Sequence, residues 1–575
     1  MMTSRTKRGA VAAALLMAAS LPLAVPALAA TDGPARASAG TGSYLAGRFA
    51  QHQDDWRAAA QYMSQALAAN PGDLSLLRRA YILKLGEGQM DAALALAMRL
   101  TSQDGEPQLA SALLIADALK RDRLKEAEEM AKAMPRDGLA KFLGPLYDAW
   151  LAAARKDTAR AQQALAPMGA SSGFAALHNL HMALVLDLAG KPAEAAEFYR
   201  RIANSEAPLR VVQLAGNFFE RQGQKDEARK LYEAFRDGNP ESLMIEPALK
   251  ALDSGKVPKP IVADAKQGLG EALFDLGSAL QHEGAEETAL LFGRISLHLR
   301  PDQPLARLMI GDIMEARDHH EDALAEYRAL EQDPALGWAA RLRAGEALAR
   351  LERNDEAIGL LTKLATERPE RTDALVRLGD LYRVTKRHAE AAEAYTKALE
   401  RIGTPTDRHW VVFYARALTN DKLERWPNTE ADLKKALELR PDEPYLLNYL
   451  GYSWVDRGVN LDRAKAMIER AVELKPRDGY IVDSLGWALY KLGDFEGAVA
   501  KLERAVELRP VDSTINDHLG DAYWRVGRRN EARFQWQRAL RTAEEQKEKD
   551  EIQQKLEKGL TDVQAAKADT GPKPQ

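Results

Sequence analysis

The sequence contains no cysteine. Disulfides, thiolate zinc sites and thiol nucleophiles are therefore excluded. It has no excess of one charge. The net charge is −4, and it becomes −7 without the three cations Arg5, Lys7 and Arg8 of the first 29 residues. No basic stripe is present, which argues against a nucleic-acid partner. No phosphate-binding glycine loop occurs, and no cofactor is expected. Aromatic residues make up 6% of the chain, while 39 glycines and 26 prolines in 575 residues are too few for a low-complexity chain. Past the first 25 residues, no stretch resembles a membrane span.

What is present is repetition. LGYSWVDRG (Leu450 to Gly458), LGWALYKLG (Leu485 to Gly493) and LGDAYWRVG (Leu519 to Gly527) are near-copies. Each is followed by an alanine (Ala464, Ala498, Ala532) and a second apolar run. A period near 34 with this pattern is the signature of the tetratricopeptide repeat, a helix A, a turn and a helix B. One such unit cannot bury its own apolar stripe, so neighbours must stack. With the glycine numbered position 8, that position falls at Gly47, Tyr81, Ile115, Ala149, Ala183 and Gly216. After a gap it falls at Gly277, Gly311, Gly345, Gly379, Ala417, Gly451, Gly486 and Gly520. Position 20 is alanine in 13 of these 14 repeats, the exception being Thr429. The expected fold is an all-α solenoid of about fourteen helix pairs.

The organisation follows from that register. Residues 1–29 read as a signal peptide, with SRTKRG before an apolar run and Ala27-Leu28-Ala29 as a small-x-small site. Cleavage between Ala29 and Ala30 is expected. Residues 30–42 read as a flexible mature N-terminus. Residues 43–240 form a first repeat array, 241–269 an irregular junction between two superhelical halves, and 270–546 a second array. Residues 547–575 read as a charged capping helix with a disordered tail.

Catalysis has little support. Gly169-Ala170-Ser171-Ser172-Gly173 fits a nucleophile pattern, but that motif works on a strand-to-helix elbow and here lies between helices. His178 and His181 are one helical turn apart without a third ligand, so no metal site is expected. His319 and His320 read as a solvated turn. The chain is read as a non-enzyme, and binding is better supported. Tetratricopeptide repeats line their concave face with positions 2, 5, 9, 12 and 13 of helix A. In the last three repeats the candidates for a partner-binding groove are Tyr445, Asn448 and Tyr452, then Tyr480, Asp483, Trp487, Tyr490 and Lys491, then Asp517, Asp521, Trp524 and Arg525. Tyrosine, tryptophan and arginine dominate binding hot spots. Trp454, Tyr523 and Trp536 read instead as core.

Residues 410–540 resemble more than the generic repeat. The run from Tyr445 to Pro510, with its extra residue between Gly458 and Asp462, is similar to the C-terminal part of a group of Gram-negative envelope proteins. So is GDAYWRVGRRNEARFQWQRAL at 520–540. Members resembling this chain are lipoprotein adaptors that activate a periplasmic carboxy-terminal processing protease and deliver cell-wall hydrolases to it. The resemblance implies a periplasmic scaffold with protein partners. The chain departs from the group in lacking the lipid-anchor cysteine, so no covalent lipid is expected. The wider class also serves outer-membrane assembly, pilus biogenesis and polysaccharide export, which is the alternative reading.

Overall fold

The computed structural model describes residues 34–103, 108–136, 138, 140–170 and 173–560. The expected signal, its cut between Ala29 and Ala30, Ser171, Ser172 and the tail from 561 lie outside the described residues. Among the described residues there are thirty α-helices and no strand. The first six pairs are α1 (Pro34–His52) with α2 (Trp56–Ala69), α3 (Leu74–Gly86) with α4 (Met90–Gln103), α5 (Gln108–Lys120) with α6 (Leu124–Ala133), α7 (Ala140–Ala154) with α8 (Thr158–Gly169), α9 (Ala175–Leu188) with α10 (Pro192–Ile202) and α11 (Leu209–Arg221) with α12 (Lys225–Gly238). The single helix α13 (Glu246–Asp253) fills the gap in the register. Then come α14 (Ala265–His282) with α15 (Glu286–Leu299), α16 (Pro304–Ala316) with α17 (His320–Arg328), α18 (Gly337–Arg350) with α19 (Asn354–Glu367), α20 (Asp373–Val384) with α21 (His388–Ile402) and α22 (Trp410–Lys422) with α23 (Trp426–Leu439). The last are α24 (Pro444–Asp456) with α25 (Leu461–Leu474), α26 (Gly479–Lys491) with α27 (Phe495–Leu508), α28 (Ser513–Arg525) with α29 (Arg529–Thr542), and the unpaired α30 (Gln546–Lys558).

The alanine register is where the helices touch. All fourteen position-20 residues, Thr429 included, have 0% exposure. Volume around them is exchanged between positions 8 and 24. Where position 8 is glycine, position 24 is large: a Cβ on Gly216 would lie 2.1 Å from the Tyr232 ring, on Gly379 2.6 Å from Tyr395 and on Gly520 2.4 Å from Trp536. Where position 8 is large the order inverts, as in Tyr81 with Ala97 and Ile115 with Ala131, all buried. In the repeat where Gly277 and Gly293 hold both positions, the Met309 methyl from the next repeat fills the space, 3.1 and 2.8 Å from their virtual Cβ atoms. The repeats lacking glycine are thus volume-conserving variants of one contact.

Aspartates start many of the helices. Asp73 accepts from the amides of Ser75 and Leu76, and Asp494 from that of Gly497, each worth about 1 kcal/mol. The A–B turn closes through one left-handed residue at position 15 in every repeat. Seven are glycine, and Asp54, Asp122, Lys156, Asp318, Glu352, Lys386 and Glu424 hold the other seven. The first helix begins at Pro34, inside the stretch expected to be a flexible terminus. Small residues allow it: a Cβ on Gly40 would already lie 3.0 Å from Ala69.

The chain divides into two compact units after Ala357. That division falls beyond the junction at 241–269. The reason is a fold-back within the first unit. Helix α14 packs against α5, α7 and α9, and α15 against α3 and α5. These are helices A of repeats two to five, so the concave face of the first array is filled by the chain's own seventh repeat. Trp150 closes on Gly268, where a Cβ would lie 2.1 Å from its ring. Polar contacts line the same seam. The fully buried Glu271 accepts both nitrogens of Arg210 at 2.5 Å, and Arg300 and Gln303 at 3.0 Å. Burial works against the Glu271 charge, but Arg210 and Arg300 hold the carboxyl below its ordinary value. Trp150 Nε1 donates to His181 Nδ1 at 3.3 Å, so that nitrogen carries the lone pair, and Nε2 lies 3.3 Å from Asp275. His178 goes elsewhere, edge-on to Phe198. The two histidines do not converge on a common site. The pair at His319 and His320 is not solvated as expected: His319 lies 3.6 Å from Asp54 and His320 3.2 Å from Glu315, both largely covered.

The left-handed turns yield a stability prediction. Lys386 is exposed at φ 60°, a conformation that costs a residue with a Cβ about 1–2 kcal/mol. Glycine removes that cost but adds about 0.5–1 kcal/mol of chain entropy. Lys386→Gly is expected to gain up to about 1 kcal/mol in urea unfolding. A loss of stability would show that the turn is held by the lysine side chain instead.

Candidate functional site

Among the described residues, no folded-back helix pair packs on the helices A of the second unit as α14 and α15 do in the first. Helices α22, α24, α26 and α28 carry the concave positions, with α24 against α26 and α26 against α28. Trp454, Tyr523 and Trp536 are buried core residues, as the register predicts. Trp454 Nε1 donates to Glu430 at 2.8 Å and the Tyr523 hydroxyl to Glu503 at 2.7 Å.

The twelve candidate groove residues separate into three groups. The first is open. Tyr445 is 43% and Tyr480 50% exposed, while Asn448, Tyr452 and Lys491 are half-buried. The buried Oδ1 of Asn448 has no hydrogen-bond partner. Burial pushes the Tyr452 hydroxyl up to about 12.

The second group is a stack. The Trp487 ring lies between Tyr490, 4.7 Å away at 6°, and His518, 4.0 Å away at 13°. Tyr490 is 4% exposed and Asp483 7%, so both serve packing rather than an open surface. Asp483 accepts from His518 Nδ1 at 3.0 Å, which fixes the ring against the tryptophan. Arg525 closes the far side, 4.1 Å over Phe495 and 5.8 Å over Tyr490.

The third group is covered. Lys555 of α30 donates to Asp517 at 2.6 Å and to Asp521 at 2.8 Å. Asp521 is buried and also accepts from Trp536 Nε1 at 2.9 Å. Trp524 packs on Trp536 at 5.3 Å, and a Cβ on Gly559 would lie 1.9 Å from its ring. Asp517, Asp521 and Trp524, read from the sequence as groove positions, are contacted by the C-terminal segment. That segment is not one continuous helix. It breaks at Ala543–Glu545, where Ala543 is buried, and returns to place Ile552 in the core.

Sequence reading missed His518 and Lys555. The signal for His518 was its place two residues before a position-8 glycine, beside Asp517. For Lys555 no local signal exists, since it is one lysine in a charged run.

Three family models match, described as tetratricopeptide repeat at residues 308–370, 342–405 and 212–242, and as TPR repeat at 486–527. Every matched span contains a position-8 glycine. A comparison with curated proteins gave no match. Among solved structures, the APC/C hetero-tetramer Cut9-Hcn1 is similar at 15% identity and TM-score 0.36, covering 91% of this chain and 97% of that one. Yeast Tom70 is similar at 14% identity and TM-score 0.28, covering 92% and 97%. YrrB, a TPR protein with an unusual peptide-binding site, is similar at 20% identity and TM-score 0.28, covering 32% and 91%.

The stack titrates, and the sign follows from its partners. Burial pushes the His518 ring down, but Asp483, with Asp517 and Asp521 nearby, overrides this and holds it above the ordinary 6.5. A raised folded value gives stability that is complete below 6.5 and is lost as pH rises through the folded pKa. Asp521 acts in the same sense. Burial pushes it up to about 6, against the pull of Lys555, and its contribution fades as pH rises through that value. The melting-temperature gap between wild type and His518→Gln should be larger at pH 6 than at pH 9. An equal gap at both would show that the ring does not titrate in the folded state. The repeat register and the fully buried position-20 residues continue through the described helices the pattern that the family models match as tetratricopeptide repeats at 212–242, 308–405 and 486–527.

Proposed function

We propose that the chain is a non-enzymatic periplasmic scaffold that holds a protein partner on the concave face of its second unit. Tetratricopeptide arrays are in general protein-binding scaffolds without catalytic activity. The observation that carries the reading is a contrast. The concave face of the first unit is filled by α14 and α15, whereas among the described residues of the second Tyr445 and Tyr480 stay exposed, with Tyr452 and Trp487 half-buried beside them. Large amphipathic rings next to charge suit an interface that is apolar at its centre and polar at its rim. The resemblance of residues 410–540 to envelope adaptors supports a carboxy-terminal processing protease and its cell-wall hydrolases as the partners. The signal-like residues 1–29 support export, with a mature chain that starts at Ala30.

Two measurements test this. Amino-terminal sequencing of the chain recovered from a periplasmic fraction should begin at Ala30. An intact signal on a membrane-bound chain would replace the soluble scaffold with an anchored one. Affinity capture from envelope extract should recover the protease with cell-wall hydrolases, while recovery of export components would select the alternative class. Truncating an interface anchor costs about 2 kcal/mol or more, roughly thirty-fold in affinity. Trp487→Ala should therefore lose the captured partner while keeping most of its melting temperature. If it instead melts early, by the about 3–5 kcal/mol of a core tryptophan, the ring belongs to the stack alone.

A further inference from the structure

Resting on that reading, we propose that the open edge of the concave face binds an extended acidic segment of the partner, through paired tyrosine and cation rungs at Tyr445/Lys475 and Tyr480/Arg509. Both tyrosines occupy position 2 of helix A, and both cations sit at the C-cap of helix B in the same repeat. Lys475 Nζ lies 4.3 Å from the Tyr445 ring centre and donates to its hydroxyl at 2.8 Å. The Arg509 guanidinium lies 4.5 Å over Tyr480. Stacking of this kind fixes a cation in place without neutralising it.

Between the rungs is a cleft of about 400 Å³ lined by Lys475, Pro476, Arg477, Asp478, Gly479 and Arg509. It holds three cations and one carboxylate, in a chain whose net charge is −4. The carboxylate is committed, because Asp478 caps α26 by accepting from the amides of Tyr480 and Ile481. Among the described residues, neither Arg477 nor Arg509 forms an ion pair. The cleft is thus a local excess of positive charge, in which Asp478 and the nearby Glu443 offset Lys475 while Arg477 and Arg509 carry the remainder.

Position 2 shows that this is not the usual fate of the register. In the first unit the same position holds Arg210 and Glu271, which satisfy each other in the buried seam. In two repeats of the second unit it holds an exposed ring, Tyr445 beside the half-buried Lys475 and Tyr480 beside the exposed Arg509. A nucleic acid needs a long basic track, and two rungs do not make one. A polypeptide fits the spacing. Packed helices lie about 8–10 Å apart, and three residues of polyproline II span about 9 Å. An acidic side chain at every third residue would meet successive cations while the residues between lie on the tyrosines.

The test uses the full mature chain and a fluorescein-labelled peptide of repeated Glu-Ala-Pro, with a repeated Lys-Ala-Pro twin, read by anisotropy at low salt. The acidic peptide is expected to bind, the basic twin not to bind, and the double variant Lys475→Glu/Arg509→Glu to lose at least about tenfold in affinity with an unchanged circular dichroism spectrum. Tyr480→Ala should weaken binding without charge reversal. Equal binding of both peptides, unchanged affinity of the double variant, or complete displacement of the peptide by inorganic phosphate would overturn the proposal. The double variant also separates the two claims. If it loses the peptide but still captures the envelope partner, the scaffold reading stands and the acidic-segment reading falls.

Discussion

The structure depends on how closely helix B can approach helix A within a repeat. That contact is made through a residue no larger than threonine at position 20, buried to 0% in all fourteen repeats. A larger side chain there would push the pair apart and break the stacking of neighbours, since packed interiors have little room to yield. Once this contact is fixed, other positions vary around it. Glycine opposite tyrosine, tyrosine opposite alanine and two glycines sharing one methionine methyl all fill the same space. The same economy explains why the turn residue may be lysine or glutamate, because the backbone there is dictated by the helix spacing rather than by the side chain.

The two units then put one surface to different uses. A concave face is a liability when it is apolar and open, and in the first unit the chain covers it with α14 and α15. Charges in that seam lose their water, so they are tolerated only with their partners in place. Glu271 with Arg210, Arg300 and Gln303 is the clearest case, since removing the carboxylate would leave the buried Arg210 without its counter-charge. The seam therefore fixes the register of the fold-back more than it adds net stability. Hydrophobic contacts such as Trp150 on Gly268 supply the burial.

Most of the fold was legible in the sequence, and the reasons are local. Position 20 repeats at a fixed interval, and the small residue is required by a contact within the repeat, so the register could be carried through Tyr81 and Ile115 where the glycine is missing. What was not legible depends on contacts between distant repeats. Arg210 and Glu271 occupy the same position 2 that elsewhere lines an open groove, and no pattern within either repeat says that they meet. The groove was legible as a set of positions but not as a set of open positions. Trp524 and Tyr480 are alike in sequence terms, yet Trp524 lies under Gly559, part of a segment that could not be aligned with any repeat.

Which concave residues remain available follows from how the covered ones are satisfied. Glu271 is met by Arg210 from the preceding repeat, Asp483 by His518 from the next helix A, and Asp517 and Asp521 by Lys555 from α30. In each case a carboxylate at a helix A position is met by a cation or a ring nitrogen from another repeat or from α30, and that pairing takes it out of the open surface. Tyr445 and Tyr480 carry no such charge. Their cations come from the edge of their own repeats and bring no element with them. The acids on this face are met from within the chain, and the tyrosines leave the edge open with a local excess of positive charge.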